Sequence, residues 1–263
     1  MAEVAIVTGG SSGIGLAAAR HLHRCGYTVY TLSRRESRQE GLRHIRADVT
    51  DEQAIRQAVE QVIAAEGKID LLINNAGFGI SGAVEFTDLE TARRQLDVKF
   101  WGMVTVTHAV LPYMRQAGRG RIVNTSSVAA PAAIPFQTYY SASKAAINAF
   151  TLATANEVRP FGITICAVMP GDIRTGFTAA REKIPAGDDI YNGRISRSVS
   201  SMEHDETNGM NPDRAGRYIA KVAMKRGHKP LYTIGFTYKC CVVLLKLLPA
   251  RISNWIVGLL YAK

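Results

Sequence analysis

Short apolar runs alternate along this chain with longer stretches whose apolar residues recur every three or four positions. Val4-Ala5-Ile6-Val7 and Ile69-Asp70-Leu71-Leu72-Ile73 are runs of the first kind. The pattern predicts seven strands, near residues 3–8, 27–32, 43–47, 69–73, 120–126, 162–168 and 230–234. Helices are predicted near 13–25, 51–66, 88–117, 138–158 and 212–226. Pro112 falls inside the third helical stretch and should kink or shorten it. Strands that alternate with helices argue for one α/β domain with a doubly wound, seven-stranded parallel sheet covered on both faces. No internal repeat or low-complexity linker interrupts the pattern.

The first strand runs into Thr8-Gly9-Gly10-Ser11-Ser12-Gly13-Ile14-Gly15, and a helical stretch follows. Strand, glycine-rich turn and helix form the context of a dinucleotide fingerprint. Glycines let the backbone approach a pyrophosphate, and the helix N-terminus offers free N–H groups to it. The spacing here is G-x-x-x-G-x-G. The second strand ends at Ser33-Arg34-Arg35, where an NAD site usually carries an acidic residue for the ribose 2′-hydroxyl. A guanidinium instead suits a 2′-phosphate, so NADP(H) is the expected cofactor. The competing reading makes these arginines a solvated turn.

Tyr140 and Lys144 lie four residues apart in Tyr-Ser-Ala-Ser-Lys, and Ser127 lies upstream. Residues i and i+4 share a helix face. A free tyrosine has a pKa near ~10. A neighbouring ammonium is expected to lower it toward the range of a working general acid or base. The Ser127 hydroxyl can donate to a carbonyl oxygen. Alone, Y-x-x-x-K is also what a solvated helix shows by chance, and the glycine loop changes that weighing. Tyr139 lies five residues from Lys144 and fits the pairing less well.

Together these residues resemble the short-chain dehydrogenase/reductase family, over about residues 3–235. Thr8 to Gly15 is similar to its TGxxxGxG loop, and Asn74-Asn75-Ala76-Gly77 to its NNAG motif. The resemblance implies a Rossmann fold and a homodimer or homotetramer, with the helices carrying Trp101 and Tyr140 packed against their mates. It implies catalytic roles for Ser127, Tyr140 and Lys144, with Lys144 also holding the nicotinamide ribose. It implies cofactor contacts from Gly9, Ser11, Ser12, Gly13, Ile14 and Gly15, and from Ser33, Arg34 and Arg35. Asp48 and Val49 fall where the family meets the adenine, and Asn75, Ala76 and Gly77 follow the fourth strand. Pro170, Gly171, Ile173 and Thr175 belong to the segment that cradles the nicotinamide.

One position departs from the family. Asp97-Val98-Lys99-Phe100-Trp101-Gly102 carries Lys99 where the family has an asparagine supporting a water relay to the lysine. Lys99 replaces that relay in altered form, or swings to solvent while water completes it, or marks a lost relay and weak catalysis.

Composition narrows the classes. A chain of 263 residues, 47% apolar, can bury a substantial core. Cys25, Cys166, Cys240 and Cys241 show neither C-x-x-C spacing nor a metal pattern, so reduced thiols and no metal are expected. The first strand starts almost at Met1, and no signal peptide is expected. The cytoplasm is the simplest compartment. Of the net charge of +10, all arises after residue 213: Arg214 to Lys263 holds ten Lys/Arg and no Asp/Glu. No recognition motif accompanies this charge, so a nucleic-acid partner is not expected.

Two segments follow the nicotinamide loop. Residues 176–210 are polar, and the resemblance implies a substrate lid there; a plain surface loop is the competing reading, although loops of that length are seldom idle. The first 235 residues then form the family domain, and 236–263 a C-terminal amphipathic helical tail. In the tail, Ile252, Trp255, Ile256, Leu259 and Leu260 recur at helical spacing after an apolar run at 240–245. No run approaches the ~20 apolar residues of a membrane span. An interfacial helix pair touching a membrane, a flap over the pocket and a subunit contact all remain open.

The resemblance is strongest to hydroxysteroid, retinol and acyl-dihydroxyacetone-phosphate reductase relatives. It implies hydride exchange between NADP(H) and a lipophilic ketone or secondary alcohol such as a hydroxysteroid. Phe78, Ile80, Val128 and Phe136 are candidates for an apolar pocket lining. The competing functions are a non-catalytic NADP(H)-binding sensor, for which only Lys99 speaks, and a 3-oxoacyl reductase.

Overall fold

A computed structural model describes residues 2–225 and 229–262. Seven parallel strands form the central sheet: β1 (Val4–Thr8), β2 (Thr28–Ser33), β3 (Arg43–Arg46), β4 (Leu71–Asn74), β6 (Gly120–Thr125), β7 (Ile163–Met169) and β9 (Leu231–Thr233). Their spatial order is β3-β2-β1-β4-β6-β7-β9. The chain therefore winds outward from β1 in one direction and from β4 in the other. The crevice between the C-terminal ends of β1 and β4 is the switch point where such sheets bind ligands. Every residue of β1 and β4 is buried, which explains why Val4–Val7 and Leu71–Ile73 are all apolar.

Helices cover both faces. One core joins Ile6, Leu72 and Ile122 of the sheet to Ile55, Val59 and Val62 of α2 (Glu52–Glu66) and to Val106 and Val110 of α4 (Gly102–Gln116). The other joins Val7, Ile73 and Val168 to Leu22 of α1 (Gly13–Arg24) and Ile219 of α7 (Pro212–Ala223). Local chemistry sets the ends of α2. The Asp51 side chain accepts from the Ala54 amide at 2.9 Å, and Gly67 closes the helix at φ 72°. The predicted end of the last domain helix at residue 226 lies outside the described residues.

The expected helix over 88–117 is interrupted. It divides into α3 (Leu89–Leu96), a π-helical turn over Asp97–Trp101, and α4. Pro112 sits within α4, which continues to Gln116, so the irregularity lies earlier than the proline suggested. Such π-turns are rare and gather at functional sites; this one carries Lys99.

The polar stretch 176–210 is more ordered than a plain loop. It contains β8 (Glu182–Lys183), which pairs in parallel with β5 (Ile80–Ser81), and α6 (Arg194–Thr207). Ile195, Ser198, Val199 and Met202 recur at 0, 3, 4 and 7 and are buried, while the rest of α6 is polar. After β9 the tail forms two helices, α8 (Phe236–Leu247) and α9 (Ala250–Tyr261). The Ser253 hydroxyl donates to Leu245 O at 3.2 Å, and Arg194 Nε donates to Ala262 O at 2.7 Å, tying α9 to α8 and to α6.

Candidate active site

A buried polar ladder fixes the ends of the central strands. Asn74 Nδ2 donates to Thr107 Oγ1 at 3.0 Å and to Asn124 Oδ1 at 2.9 Å. Asn124 Nδ2 donates in turn to Thr151 Oγ1 at 2.9 Å. These bonds join β4 and β6 to α4 and to α5 (Thr138–Val158). Thr8 Oγ1 accepts from the Asn75 and Ala76 amides at 2.9 and 3.1 Å, closing the gap between β1 and β4. The first asparagine of the Asn-Asn-Ala-Gly segment is thus structural, and the residues after it face the crevice.

A continuous cleft of about 1080 Å³ runs along this edge. One end holds Ser33, Arg34, Arg35, Asp48 and Val49; the middle holds Gly9, Ser11, Ser12, Gly13, Ile14, Asn75, Ala76 and Gly77. The other end holds Ser127, Tyr140, Lys144, Pro170, Gly171, Ile173, Thr175 and Lys99. Of the residues expected to act in catalysis or hold the cofactor, Gly15 alone does not line the cleft. A Cβ there would lie 2.4 Å from Gly9 O, so its role is to let the loop pack on itself.

The cleft suits a nicotinamide dinucleotide. Ser12 makes no side-chain cap to α1, so the first amides of that helix are not taken by it. Gly13 has φ 55°, with nothing nearer than Thr175 at 3.6 Å to a Cβ built on it. Arg34 and Arg35 are exposed and form no ion pair among the described residues. Thr50 donates to Asp48 Oδ1 from both its amide and its hydroxyl, at 3.0 and 2.8 Å, which orients that carboxylate.

Tyr140 lies in the first turn of α5 and Lys144 one turn later. Lys144 Nζ donates to Thr125 O at 2.6 Å and stands 5.8 Å from the centroid of the Tyr140 ring. Burial pushes the Lys144 ammonium down to about 7. The expected lowering of the tyrosine is not what the structure shows. Burial pushes the Tyr140 phenol up to about 12; a hydrogen bond with Ser127 draws it down, and the Glu206 carboxylate raises it further. Desolvation here outweighs the cation one turn away, and that cation is itself weakened by burial.

Lys99 does not swing to solvent. It is 4% exposed, and Nζ stands 4.6 Å from the centroid of Tyr140 and 5.0 Å from that of Phe177. Its Nζ makes no hydrogen bond among the described residues. Burial, then Lys144 and Arg181, drive its pKa well below the usual lysine value. It also lines a small cavity behind the cleft, beside Asn74, Asn124 and Thr125. The π-turn aims this side chain inward.

Phe78 and Val128 line the cleft as expected, but Ile80 and Phe136 do not. Ile80 is buried in β5, and Phe136 packs with Ile195, Val199 and Met202 beneath α6. Their places are taken by Phe177, Ile134, Tyr238 and Tyr261, none of which had been singled out from the sequence. Tyr238 Oη donates to the Asp172 carboxylate and accepts from the Asp172 amide at 3.2 Å. Its ring covers Gly171, where a Cβ would come within 2.3 Å of it. Behind Phe177, Glu206 pairs with the buried Arg181 and accepts from Thr178 Oγ1 at 2.6 Å. Among the described residues no group of His, Cys, Asp and Glu could hold a metal ion.

Known proteins share this architecture. The family model described as short chain dehydrogenase matches residues 3–185. A 3-ketodihydrosphingosine reductase of Bacteroides thetaiotaomicron is 42% identical over 227 residues, spanning 85% of this chain and 84% of that protein. A probable short-chain type dehydrogenase/reductase, VdlC, of Helicobacter pylori is 31% identical over 258 residues, 96% of this chain and 94% of its own. The solved structure of a short-chain dehydrogenase from Streptomyces avermitilis superposes with a TM-score of 0.84 at 29% identity, covering 97% of this chain and 96% of that one.

Proposed function

The chain belongs to the short-chain dehydrogenase family, and on that premise we propose that it is an NADP(H)-dependent reductase of a long-chain lipophilic ketone. Its family membership makes it an oxidoreductase acting on CH–OH and ketone groups. The observation that carries the substrate class is the 42% identity, over most of both chains, to a protein named for the reduction of a 3-ketodihydrosphingosine. That favours a long-chain keto lipid over the hydroxysteroid expected from the sequence. Phe177, Ile134, Tyr238 and Tyr261 give the substrate end of the cleft an aromatic and apolar wall suited to either.

In this reading Tyr140 gives its proton to the carbonyl oxygen as the carbonyl is reduced. Its raised pKa keeps that proton in place across the neutral range. The Ser127 hydroxyl donates to the same oxygen and fixes the carbonyl. Lys144, held by Thr125 O, would hold the nicotinamide ribose. The cofactor supplies the hydride when bound. Arg34 and Arg35 hold the 2′-phosphate, with Ser33 beside them. The same reading includes a homodimer or homotetramer and a cytoplasmic protein in peripheral contact with a membrane through its basic tail.

The test is NADPH oxidation, with NADH in parallel, against 3-ketodihydrosphingosine, steroid ketones, retinal and short and long aliphatic ketones. Turnover of the long-chain substrate with NADPH, lost by about 10²–10⁴-fold in Tyr140→Phe, is expected. Turnover of steroid ketones alone would return the substrate to the hydroxysteroid class. Tight NADPH binding with no turnover of any of these would favour a sensor.

A further inference from the structure

The two tail helices carry different chemistry on opposite faces. On the inner side Tyr238, Val242, Val257 and Tyr261 are buried or half-buried, and both tyrosines line the cleft. On the outer side of α8, Phe236, Val243, Leu244 and Leu247 recur at 0, 7, 8 and 11 and are 82, 56, 52 and 77% exposed. On α9, Ile252, Trp255 and Leu259 recur at 0, 3 and 7 and are 43, 64 and 40% exposed. Isolated exposed apolar side chains are ordinary, but two consecutive helices of them mark an interaction surface. The exposed cations Lys239, Lys246 and Arg251 stand among these residues, and no acidic residue occurs from Arg214 onward.

We propose that the outer face of the α8–α9 hairpin docks on an anionic lipid bilayer, so that a lipid substrate passes from the bilayer past Tyr238 and Tyr261 into the cleft. The docking makes specific the peripheral membrane contact read above, and the passage rests on the lipophilic-substrate reading. Charge selects the occupant. A second copy of the chain would bring the same cations against themselves, whereas an anionic surface complements them. Amphipathic helices with a basic rim and a tryptophan lie in the headgroup plane with their apolar side chains inserted. No helix among the described residues is long and apolar enough to cross a membrane, so contact of this kind is peripheral.

Trp101 and Trp255 are the two tryptophans, so Trp101→Phe leaves Trp255 as the sole reporter. With the full chain, phosphatidylglycerol vesicles should float the protein and shift Trp255 emission to the blue, and pure phosphatidylcholine vesicles should do so far less. Neutralising Lys239, Lys246 and Arg251 should weaken partitioning by roughly fivefold per charge. Leu247→Glu should weaken it by about tenfold or more while leaving NADPH binding unchanged. A protein that ignores vesicles of both compositions would overturn the docking. So would a Leu247→Glu variant whose mass in solution drops by a subunit, since a second copy would then cover this face. Vesicle binding is read without turnover, and turnover in detergent micelles without vesicles, so failure of the docking and failure of the substrate reading are separate results.

Discussion

Lys99 Nζ stands 4.6 Å from the centroid of the Tyr140 ring, nearer than Lys144 Nζ at 5.8 Å. The residue that breaks the family's pattern is therefore in the catalytic end of the cleft. Two buried ammonium groups so placed repel each other, and burial disfavours both charges. Burial thus drives the Lys99 pKa well below the usual lysine value, and its Nζ sits between the rings of Tyr140 and Phe177.

Lys99→Asn is expected to keep activity within about threefold or raise it. The substitution restores an amide at the relay position and removes a group that repels Lys144. A true acid–base role for the amine would instead cost about 10²–10⁴-fold. Steady-state rates of a folded Lys99→Asn variant, with Lys99→Met beside it, decide the matter. Collapse of turnover in both gives Lys99 its own essential role.

Much of this site was legible because its chemistry is local. The glycine loop, the Tyr140–Lys144 spacing and the arginines after β2 are short-range patterns, and they converge on one cleft. What escaped was set by distant contacts. Tyr238 and Tyr261 lie about a hundred residues beyond Tyr140 and reach the cleft only because α8 and α9 fold back over Gly171 and α6. The α6 helix hid in a polar stretch, since a single buried stripe of Ile195, Val199 and Met202 is faint among serines and charges. The tyrosine's pKa was misjudged because spacing reports a neighbouring cation but not the depth of burial.

Lys144 should leave a pH signature on stability. Its pKa falls from 10.5 to about 7 on folding, so the unfolded chain binds more protons between those values. Stability from this group is present above pH 10.5 and is lost as pH falls toward 7. Each unit of depression is worth about 1.4 kcal/mol, which makes the effect measurable by chemical denaturation. Lys144→Met should be more stable than the parent at pH 7, and the difference should shrink as pH rises toward 10. A difference that does not vary with pH would mean that Lys144 stays charged in the folded protein.

The cofactor choice is tested at the end of β2. Arg34→Ala with Arg35→Ala removes two exposed guanidinium groups that have no ion-pair partner among the described residues, so stability should hardly change. Charge-assisted hydrogen bonds contribute about 1.5–3 kcal/mol each. The KM for NADPH should accordingly rise by about tenfold or more, while that for NADH stays within about twofold. Equal effects on the two cofactors would place these arginines in the turn alone.

Gly13 and Gly15 share one motif but should fail differently. At Gly15 an added Cβ meets Gly9 O at 2.4 Å and Asn75 Nδ2 at 2.5 Å, and Gly9 O is backbone that cannot give way cheaply. Gly15→Ala should therefore destabilise the fold, by about 1–3 kcal/mol for an overpacked site. At Gly13 the Cβ meets only Thr175, at an ordinary 3.6 Å. Its cost to the empty protein is the left-handed φ of 55°, about 1–2 kcal/mol. The same methyl projects into the part of the cleft where the glycine loop would approach a pyrophosphate. Gly13→Ala should thus lose NADPH affinity by more than its fall in melting temperature explains, whereas Gly15→Ala should lose stability first. Titration of NADPH into each variant, at a temperature where both remain folded, separates the two. Equal loss of affinity would assign the glycines one common role in shaping the loop.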